Sequence, residues 1–243
     1  MKTAILTVGY GVRDVDEMRR SVFPVERAVA DAFPECAFFS GLACEETASF
    51  LRQSGENVRG FEEALAAVRN GGFENAFVVP LLLARGQVYH SILKFAEPFP
   101  VSGPLLDDDG DLMRIAAVYG EIAGRTGRIV LLMGHGNTFG DGAYERLAKI
   151  LPENVHMACR SGQMLLEDIL PALEKGPKRL LLMPLMLTSG RHARGEMAGE
   201  SPASWKSRLT RLGFDVETDL RGMGSMPEIQ CIFIEKAAAM MRQ

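Results

Sequence analysis

The sequence lacks the features that mark several large protein classes. It has only four cysteines in 243 residues, with no Cys-x-x-Cys pair and no histidine at zinc-finger spacing, so it shows no disulfide framework or zinc finger. No apolar run approaches the roughly 20 residues that a membrane-spanning helix needs, and the short apolar start does not resemble a signal peptide. We therefore expect a reduced, cytoplasmic protein with no membrane partner.

A strong excess of charge of one sign is also missing. The 27 Lys and Arg residues face 31 Asp and Glu residues, which gives a formal net charge of −4 and no global electrostatic reason to bind nucleic acid. The apolar fraction of 47% and the charged fraction of 24% are ordinary for a folded globular chain. This length suits one large domain or two small ones.

The common nucleotide and hydrolase motifs are absent as well. The segment that begins Gly9-Tyr10-Gly11 lacks the third glycine of the dinucleotide fingerprint, and the chain has no phosphate-binding P-loop and no Gly-x-Ser-x-Gly elbow. The acidic run at 107–111 lacks the spaced ligands of a calcium loop, and we interpret it as a solvated turn. The sequence therefore predicts no nucleotide cofactor.

What the sequence does have is a regular alternation of short apolar runs with longer amphipathic stretches. This pattern is typical of parallel strands buried on both faces and connected by helices, and it predicts an α/β fold. The predicted strands cover 3–8, 37–40, 76–82, 128–133, 155–158, 179–185 and 215–218, with a weak strand near 99–105. The predicted helices cover 14–33, 44–54, 61–70, 87–97, 112–123, 141–150, 164–175, 201–212 and 226–241.

An internal repeat organises these elements. Residues 5–11 align with 130–136, and residues 79–86 align without a gap with 183–190. Each half thus has a Gly-x-Gly turn after its first strand and an apolar-Pro-apolar strand that leads to a glycine loop. We predict two similar lobes, residues 1–125 and 126–243, each a parallel sheet flanked by helices, with the last helix a candidate to pack on the first lobe. A ligand is expected in a cleft between them.

Two histidines distinguish the second lobe from the first. His135 is the middle residue of the second Gly-x-Gly turn, where the first lobe has Tyr10, and His192 occupies the position of Val88. Both histidines follow the carboxyl ends of strands, so their imidazoles can converge on one point. Neutral imidazole serves as a metal ligand and as a general base, so the pattern indicates either kind of site.

Three further side chains are of interest for the site. Two of them have both a functional and a structural interpretation, and the third we interpret as structural only. His90 either faces the same cleft or lies exposed on a helix. Cys159, at the end of a predicted strand, is either a soft metal ligand or a buried, unreactive thiol. His156 lies within a short apolar strand, and we interpret it as structural.

These residues resemble the anaerobic sirohydrochlorin cobaltochelatases of the CbiK type, which are class II chelatases related to ferrochelatase. The resemblance covers essentially the whole chain and rests on M-G-H-G at 133–136, L-M-P-L-M-L at 182–187, G-R-H-A at 190–193, M-A-G at 197–199 and S-W-K at 204–206. It implies two α/β lobes with a tetrapyrrole between them. It also implies that His135 and His192 are the metal-binding and proton-abstracting histidines.

The implied activity is ATP-independent insertion of Co²⁺ into sirohydrochlorin in cobalamin biosynthesis, with Fe²⁺, Ni²⁺ and Zn²⁺ as alternative ions. A histidine near neutrality suits the removal of pyrrole protons, and an ion held near the ring plane brings the reactants together. Where the family has acidic residues, this sequence has Val88 and Cys159. The third metal ligand is therefore left open, and a non-catalytic tetrapyrrole- or metal-binding protein derived from a chelatase is the alternative.

The carboxylates of sirohydrochlorin suggest arginine clamps beside the four loops, although solvated arginines are the alternative interpretation. The candidate substrate-binding residues are Tyr10, Arg13, Arg85, Val88, Tyr89, Arg191, Arg194 and Met223. The candidate metal ligands are His135, His192, His90 and Cys159. The oligomeric state is left open, with a homo-oligomer as one candidate.

Overall fold

The computed structural model describes residues 2–136 and 142–242. Its strands are β1 Thr3–Gly9, β2 Ala37–Leu42, β3 Asn75–Leu81, β4 Ile129–Gly134, β5 Val155–Cys159, β6 Arg179–Leu185 and β7 Asp215–Thr218. Its α-helices are α1 Val15–Glu17, α2 Phe23–Ala32, α3 Glu45–Gln53, α4 Phe61–Asn70, α5 Gln87–Ala96, α6 Asp109–Thr126, α7 Ala143–Ile150, α8 Leu166–Leu173, α9 Trp205–Arg211 and α10 Pro227–Met241. Two π-helical turns, Met18–Val22 and His192–Met197, and a 3₁₀ turn, Met223–Ser225, complete the regular structure of the described residues.

The strands form two parallel sheets, in the orders β2-β1-β3 and β5-β4-β6-β7. Each strand pairs only in parallel within its sheet. The central strands β1 and β4 are almost wholly buried, because helices connect the strands and cover both faces. The predicted α/β fold with two helix-flanked parallel sheets is confirmed.

The internal repeat appears in the register of the two sheets. Val8 of β1 pairs with Pro80 of β3, and Met133 of β4 pairs with Pro184 of β6, so the aligned residues occupy equivalent ladder positions. Both prolines lie where their missing N–H is tolerated. On the side of β3 away from β1 the described residues make one bridge, at Val78, and β6 pairs with β7 only as far as Leu182. Each proline thus lies beyond the last paired residue on that side of its strand.

Three predictions differ from the structure in detail. The weak strand near 99–105 is wrong: the described residues there make a single parallel bridge, Val78 to Val101, because prolines at 98, 100 and 104 remove ladder donors. The predicted helix 14–33 is divided into α1, a π-helical turn and α2. The helix predicted at 201–212 starts at Trp205, where the Ser204 hydroxyl accepts a hydrogen bond from the Ser207 N–H at 3.1 Å.

By packing, the chain divides into two compact units. Residues 1–107 and 224–243 form the first unit, and residues 108–223 form the second, so α6 belongs to the second and α10 to the first. Within the first unit α10 packs against α2. A Cβ added at Gly224 would meet the Ser21 carbonyl oxygen at 1.8 Å, so only glycine allows this close approach. No helix in the described ranges combines the length and apolarity needed to cross a bilayer.

Candidate functional site

A Gly-His-Gly turn presents His135 at the carboxyl edge of the second sheet. Gly134 ends β4, and a Cβ there would come within 3.1 Å of the Tyr144 ring. Gly136 has a φ of +87°, and a Cβ there would meet the Ser161 carbonyl oxygen at 2.0 Å. A side chain at Gly136 would clash with the backbone and one at Gly134 would crowd the Tyr144 ring. The backbone therefore packs tightly here while the His135 side chain stays exposed.

His192 faces His135 from the neighbouring strand connection. It is the first residue of the π-helical turn that follows β6, and its ring lies 5.2 Å from the His135 ring, centroid to centroid, at an interplanar angle of 80°. Two imidazoles that share one divalent ion at about 2.1 Å would have centroids about 3.2 Å from the ion and about 5 Å from each other. The observed spacing therefore suits a shared ion, and the predicted convergence of the two histidines is present.

The hydrogen bonds of the two rings determine which nitrogens are available. Nδ1 of His135 lies 3.3 Å from the Gly136 carbonyl oxygen, and Nδ1 of His192 lies 2.5 Å from Oε1 of Glu196. Carbonyl oxygens and ionised carboxylates only accept hydrogen bonds, so each Nδ1 carries the proton. In the neutral form both Nε2 atoms then keep a lone pair for a metal ion or a proton.

The surroundings of His135 favour the neutral imidazole. Partial burial by the surrounding protein lowers the pKa of His135 below its ordinary 6.5, and the positive charge of Arg160 lowers it further. The contact with the Gly136 carbonyl and the charge of Glu196 oppose this shift but do not outweigh it. At neutral pH the ring can therefore act as a ligand or as a general base.

Glu196 and Arg160 belong to this site, although the sequence reasoning missed both. Oε2 of Glu196 accepts a hydrogen bond of 2.9 Å from Nε of Arg160, the residue that follows β5. Burial opposes ionisation of Glu196, but its hydrogen bonds to Arg160 and His192 outweigh that effect and lower its pKa. The His-x-x-x-Glu spacing was an available signal, since residues four apart are neighbours on one helical face, but no helical turn was predicted there.

Cys159 and His90 do not join the histidine pair in one recognisable metal site. Cys159 is 3% exposed, and burial together with the nearby charge of Glu145 raises its pKa to about 11, whereas the thiolate is the form that binds metals. His90 lies exposed on α5 of the first unit. Among the described residues, no three His, Cys, Asp or Glu side chains are grouped to hold a metal ion. The ligand roles of Cys159 and His90 stay predictions.

The candidate substrate-binding residues of the second unit differ in exposure. Arg191 is exposed beside His192. Arg194, also exposed, donates from Nε to the Ser189 carbonyl at 3.0 Å and so stabilises the start of the π-helical turn. Met223 is fully buried, and its N–H bonds to the carbonyl of Met186, which leaves its side chain little surface for a ligand.

In the first unit, the candidates at the carboxyl edge of β1 are the accessible ones. Tyr10 is 52% exposed, and its pKa is raised mainly by the neighbouring Cys44 thiol. Arg13 is exposed beside it.

The candidates that precede and begin α5 in the first unit are largely committed to the fold. Arg85 makes a two-pronged ion pair with Asp107, at 2.6 and 2.8 Å. Tyr89 is 3% exposed, and its hydroxyl donates to the Ser102 carbonyl. Val88 packs partly buried against the core.

Comparison with known families gives one match that spans almost the whole chain. Residues 3–242 match the model of the family described as cobalt chelatase (CbiK). A sirohydrochlorin cobaltochelatase CbiKC from Nitratidesulfovibrio vulgaris is 37% identical over 147 residues, which are 57% of this chain and 52% of that relative, so the match spans about half of the relative's length. The sirohydrochlorin cobaltochelatase of Salmonella typhimurium is 26% identical over 252 aligned positions, which cover 96% of this chain and 94% of that protein.

Solved structures share the fold. The structure of CbiX, described as the terminal enzyme for biosynthesis of siroheme in denitrifying bacteria, superposes with a TM-score of 0.58 at 16% identity, covering 98% of this chain and 99% of that one. The sirohydrochlorin chelatase SirB from Bacillus subtilis subspecies spizizenii, in complex with cobalt, gives the same TM-score and identity, with 99% of this chain and 95% of that chain covered.

Proposed function

We propose that this chain, which belongs to the cobalt chelatase (CbiK) family, inserts Co²⁺ into sirohydrochlorin. Two relatives from different bacteria are named sirohydrochlorin cobaltochelatases, and one of them aligns over nearly its whole length. The observation in this chain that carries the proposal is the histidine pair, with rings 5.2 Å apart and both Nε2 atoms available. A chelatase must hold a metal ion and remove pyrrole protons, and neutral imidazoles can do both.

The reaction can be divided between the two histidines. The incoming ion first binds both Nε2 atoms, which replace part of its water shell and hold it near the plane of the tetrapyrrole. As the ion moves onto the pyrrole nitrogens, His135 releases it and accepts a pyrrole proton, since its lowered pKa keeps the ring neutral beforehand. His135 is exposed, so it can pass this proton to water and accept the second one.

The bound ion and the tetrapyrrole also need electrostatic support. The porphyrinoid carboxylates require cations, and Arg191 and Arg194 beside His192 are the proposed clamps of the second unit. Arg13 beside Tyr10 is the proposed clamp of the first unit.

Acceptance of Fe²⁺, Ni²⁺ or Zn²⁺, independence of ATP and placement in cobalamin biosynthesis are part of this proposal. So is a cytoplasmic location, which four unpaired cysteines favour.

The test is a direct insertion assay. Purified protein, sirohydrochlorin and Co²⁺ are mixed, and metal insertion is followed by the change in the tetrapyrrole absorbance. We expect acceleration over the spontaneous rate, no effect of added ATP, and loss of this acceleration in His135→Ala and in His192→Ala. The matched control is His156→Asn, since His156 lies within β5 and pairs in register with Leu131, so its loss should leave insertion within about threefold of the wild type.

The outcomes separate the two functions that the sequence left open. Pigment binding without faster insertion would contradict the chelatase and leave a tetrapyrrole carrier. Faster insertion that persists in both histidine variants would contradict the assigned residues while keeping the activity.

A further inference from the structure

We propose that Glu196 is a positioning residue that orients His192 for the metal ion and is itself fixed by Arg160. This inference rests on the proposed role of His192 as a metal ligand. It concerns a carboxylate that contacts the histidine pair directly.

The first step concerns the hydrogen-bond partners of the two Glu196 carboxylate oxygens. Its Oε1 lies 2.5 Å from Nδ1 of His192, and its Oε2 accepts from Nε of Arg160 at 2.9 Å. Each oxygen thus already has a charged or polar partner. Both oxygens are therefore directed at His192 and Arg160, and in this arrangement Glu196 acts on the metal ion through His192.

The second step is the tautomer of His192. An ionised carboxylate accepts but does not donate, so the proton on His192 stays on Nδ1 and the lone pair stays on Nε2. Without Glu196, the imidazole could rotate about its side-chain bonds and place the proton on either nitrogen. A carboxylate on the far nitrogen of a metal-binding histidine both fixes the ring and increases the electron density available to the metal.

The third step is the rigidity of the support. His192 and Glu196 lie on one π-helical turn, which is closed by a hydrogen bond from the Ala198 N–H to the Ala193 carbonyl at 3.1 Å. Such wide turns are often found at functional sites. The two residues are four apart, so this turn places their side chains on one face and in contact.

The last step is the connection to the other histidine. The Arg160 N–H donates to the Gly134 carbonyl at 2.9 Å, and the Ser161 hydroxyl donates to the His135 carbonyl at 3.2 Å. Arg160 and Ser161 thereby tie the segment after β5 to the Gly-His-Gly turn. One hydrogen-bonded array holds both imidazoles, so a change at Glu196 should alter how well the pair binds an ion before any tetrapyrrole is present.

The test measures Co²⁺ binding and the tautomer, without the tetrapyrrole. Co²⁺ is titrated into wild type, Glu196→Ala and Glu196→Gln, and its visible absorption and dissociation constant are recorded. We expect both variants to bind Co²⁺ about 10- to 100-fold more weakly. In the separate insertion assay with sirohydrochlorin, KM for Co²⁺ should rise more than kcat falls. The matched control is Glu200→Gln, because Glu200 lies four residues further along, is exposed and pairs with Lys206; its Co²⁺ affinity should equal that of the wild type.

Nitrogen NMR of protein labelled at its four histidines supplies a readout that needs no metal. The wild type should show His192 protonated at Nδ1, and Glu196→Ala should show a mixture of tautomers or an Nε2-protonated ring. A wild-type ring protonated at Nε2, or unchanged Co²⁺ affinity in Glu196→Ala, would overturn the inference. If His192→Ala also keeps wild-type Co²⁺ affinity, the proposed function fails instead, so the two failures are distinguishable.

Discussion

The carboxyl edges of the two sheets share a backbone plan but differ in chemistry. In both, the central strand pairs with its neighbour in the same register around a proline, and a Gly-x-Gly turn follows. The first edge presents Tyr10, whereas the second presents His135. The repeated geometry is therefore scaffold, and the proposed metal chemistry depends on which side chains the second edge adds to it.

The loops after the third strand of each unit differ in the same way. In the first unit, Gly86 precedes a regular α-helix, and Val88 packs against the core. In the second unit, the equivalent segment forms a π-helical turn that brings His192 to Glu196. A difference in local helix type thus accompanies the difference between a structural and a candidate catalytic position.

The largest expected effect comes from making the second edge like the first. His135→Tyr should lower the rate of cobalt insertion about 10²- to 10⁴-fold, because phenol at neutral pH neither accepts the pyrrole proton nor offers an imidazole nitrogen to the ion. The insertion assay measures this loss. The melting temperature should not change, since His135 is exposed; activity within threefold of the wild type would remove the functional contrast between the two edges.

A second contrast is β7, which only the second sheet has among the described residues. Arg128, 8% exposed, holds this strand through Asp215 at 2.9 Å and through Glu217. Arg128→Met should lower the free energy of unfolding by about 2 kcal/mol in urea denaturation, since partly buried hydrogen bonds to charged groups are lost. Arg179→Met is the matched control, because Arg179 is 60% exposed and lies 3.9 Å from Asp215. Equal losses in both variants would contradict the role of Arg128.

A third contrast is a poorly solvated carboxyl group in the first unit, that of Glu26 on α2. Burial raises the pKa of Glu26 on α2 to about 8, from an ordinary 4.5. The folded state therefore holds this proton more tightly than the unfolded state, and stability falls as the pH rises from about 4.5 to about 8. Glu26→Gln should remove this dependence and stabilise the protein by about 1–2 kcal/mol at pH 8, with no gain at pH 4.5. Thermal denaturation of both proteins at both pH values measures this difference in stability. An equal gain at the two pH values would show that the titration of Glu26 is not its cause.

The smallest expected effect concerns the thiols at the two edges. Cys44 follows β2 and is partly exposed, whereas Cys159 ends β5, is buried and has its pKa raised to about 11. Iodoacetamide at pH 8 should modify Cys44 at least about tenfold faster than Cys159, because the thiolate is the reactive form and needs access. Peptide mass spectrometry measures both rates. Faster labelling of Cys159 would show an accessible thiolate and favour it as a metal ligand.

Much of the fold could be predicted from the sequence because the relevant signals are local. The strand β6 and the helix α4 lie at their predicted bounds, since continuous apolar runs and amphipathic periodicity record which faces are buried. The prediction of a weak strand near 99–105 was wrong because it gave more weight to the apolar residues of this segment than to its three prolines. The π-helical turn at His192–Met197 was missed because its hydrogen bonds follow no simple residue preference.

The sequence by itself determined the α/β class, the repeat and the two histidines that the repeat singles out. Hydrophobic periodicity and aligned motifs are local properties, so they can be read without knowing the tertiary contacts. Only the tertiary structure decided that His135 and His192 face each other, and that Glu196 and Arg160 support them. Glu196 and Arg160 are 36 residues apart in sequence, and they meet because parallel strands bring their carboxyl ends to one edge. Contacts of that kind depend on strand order and register, which local residue patterns do not encode.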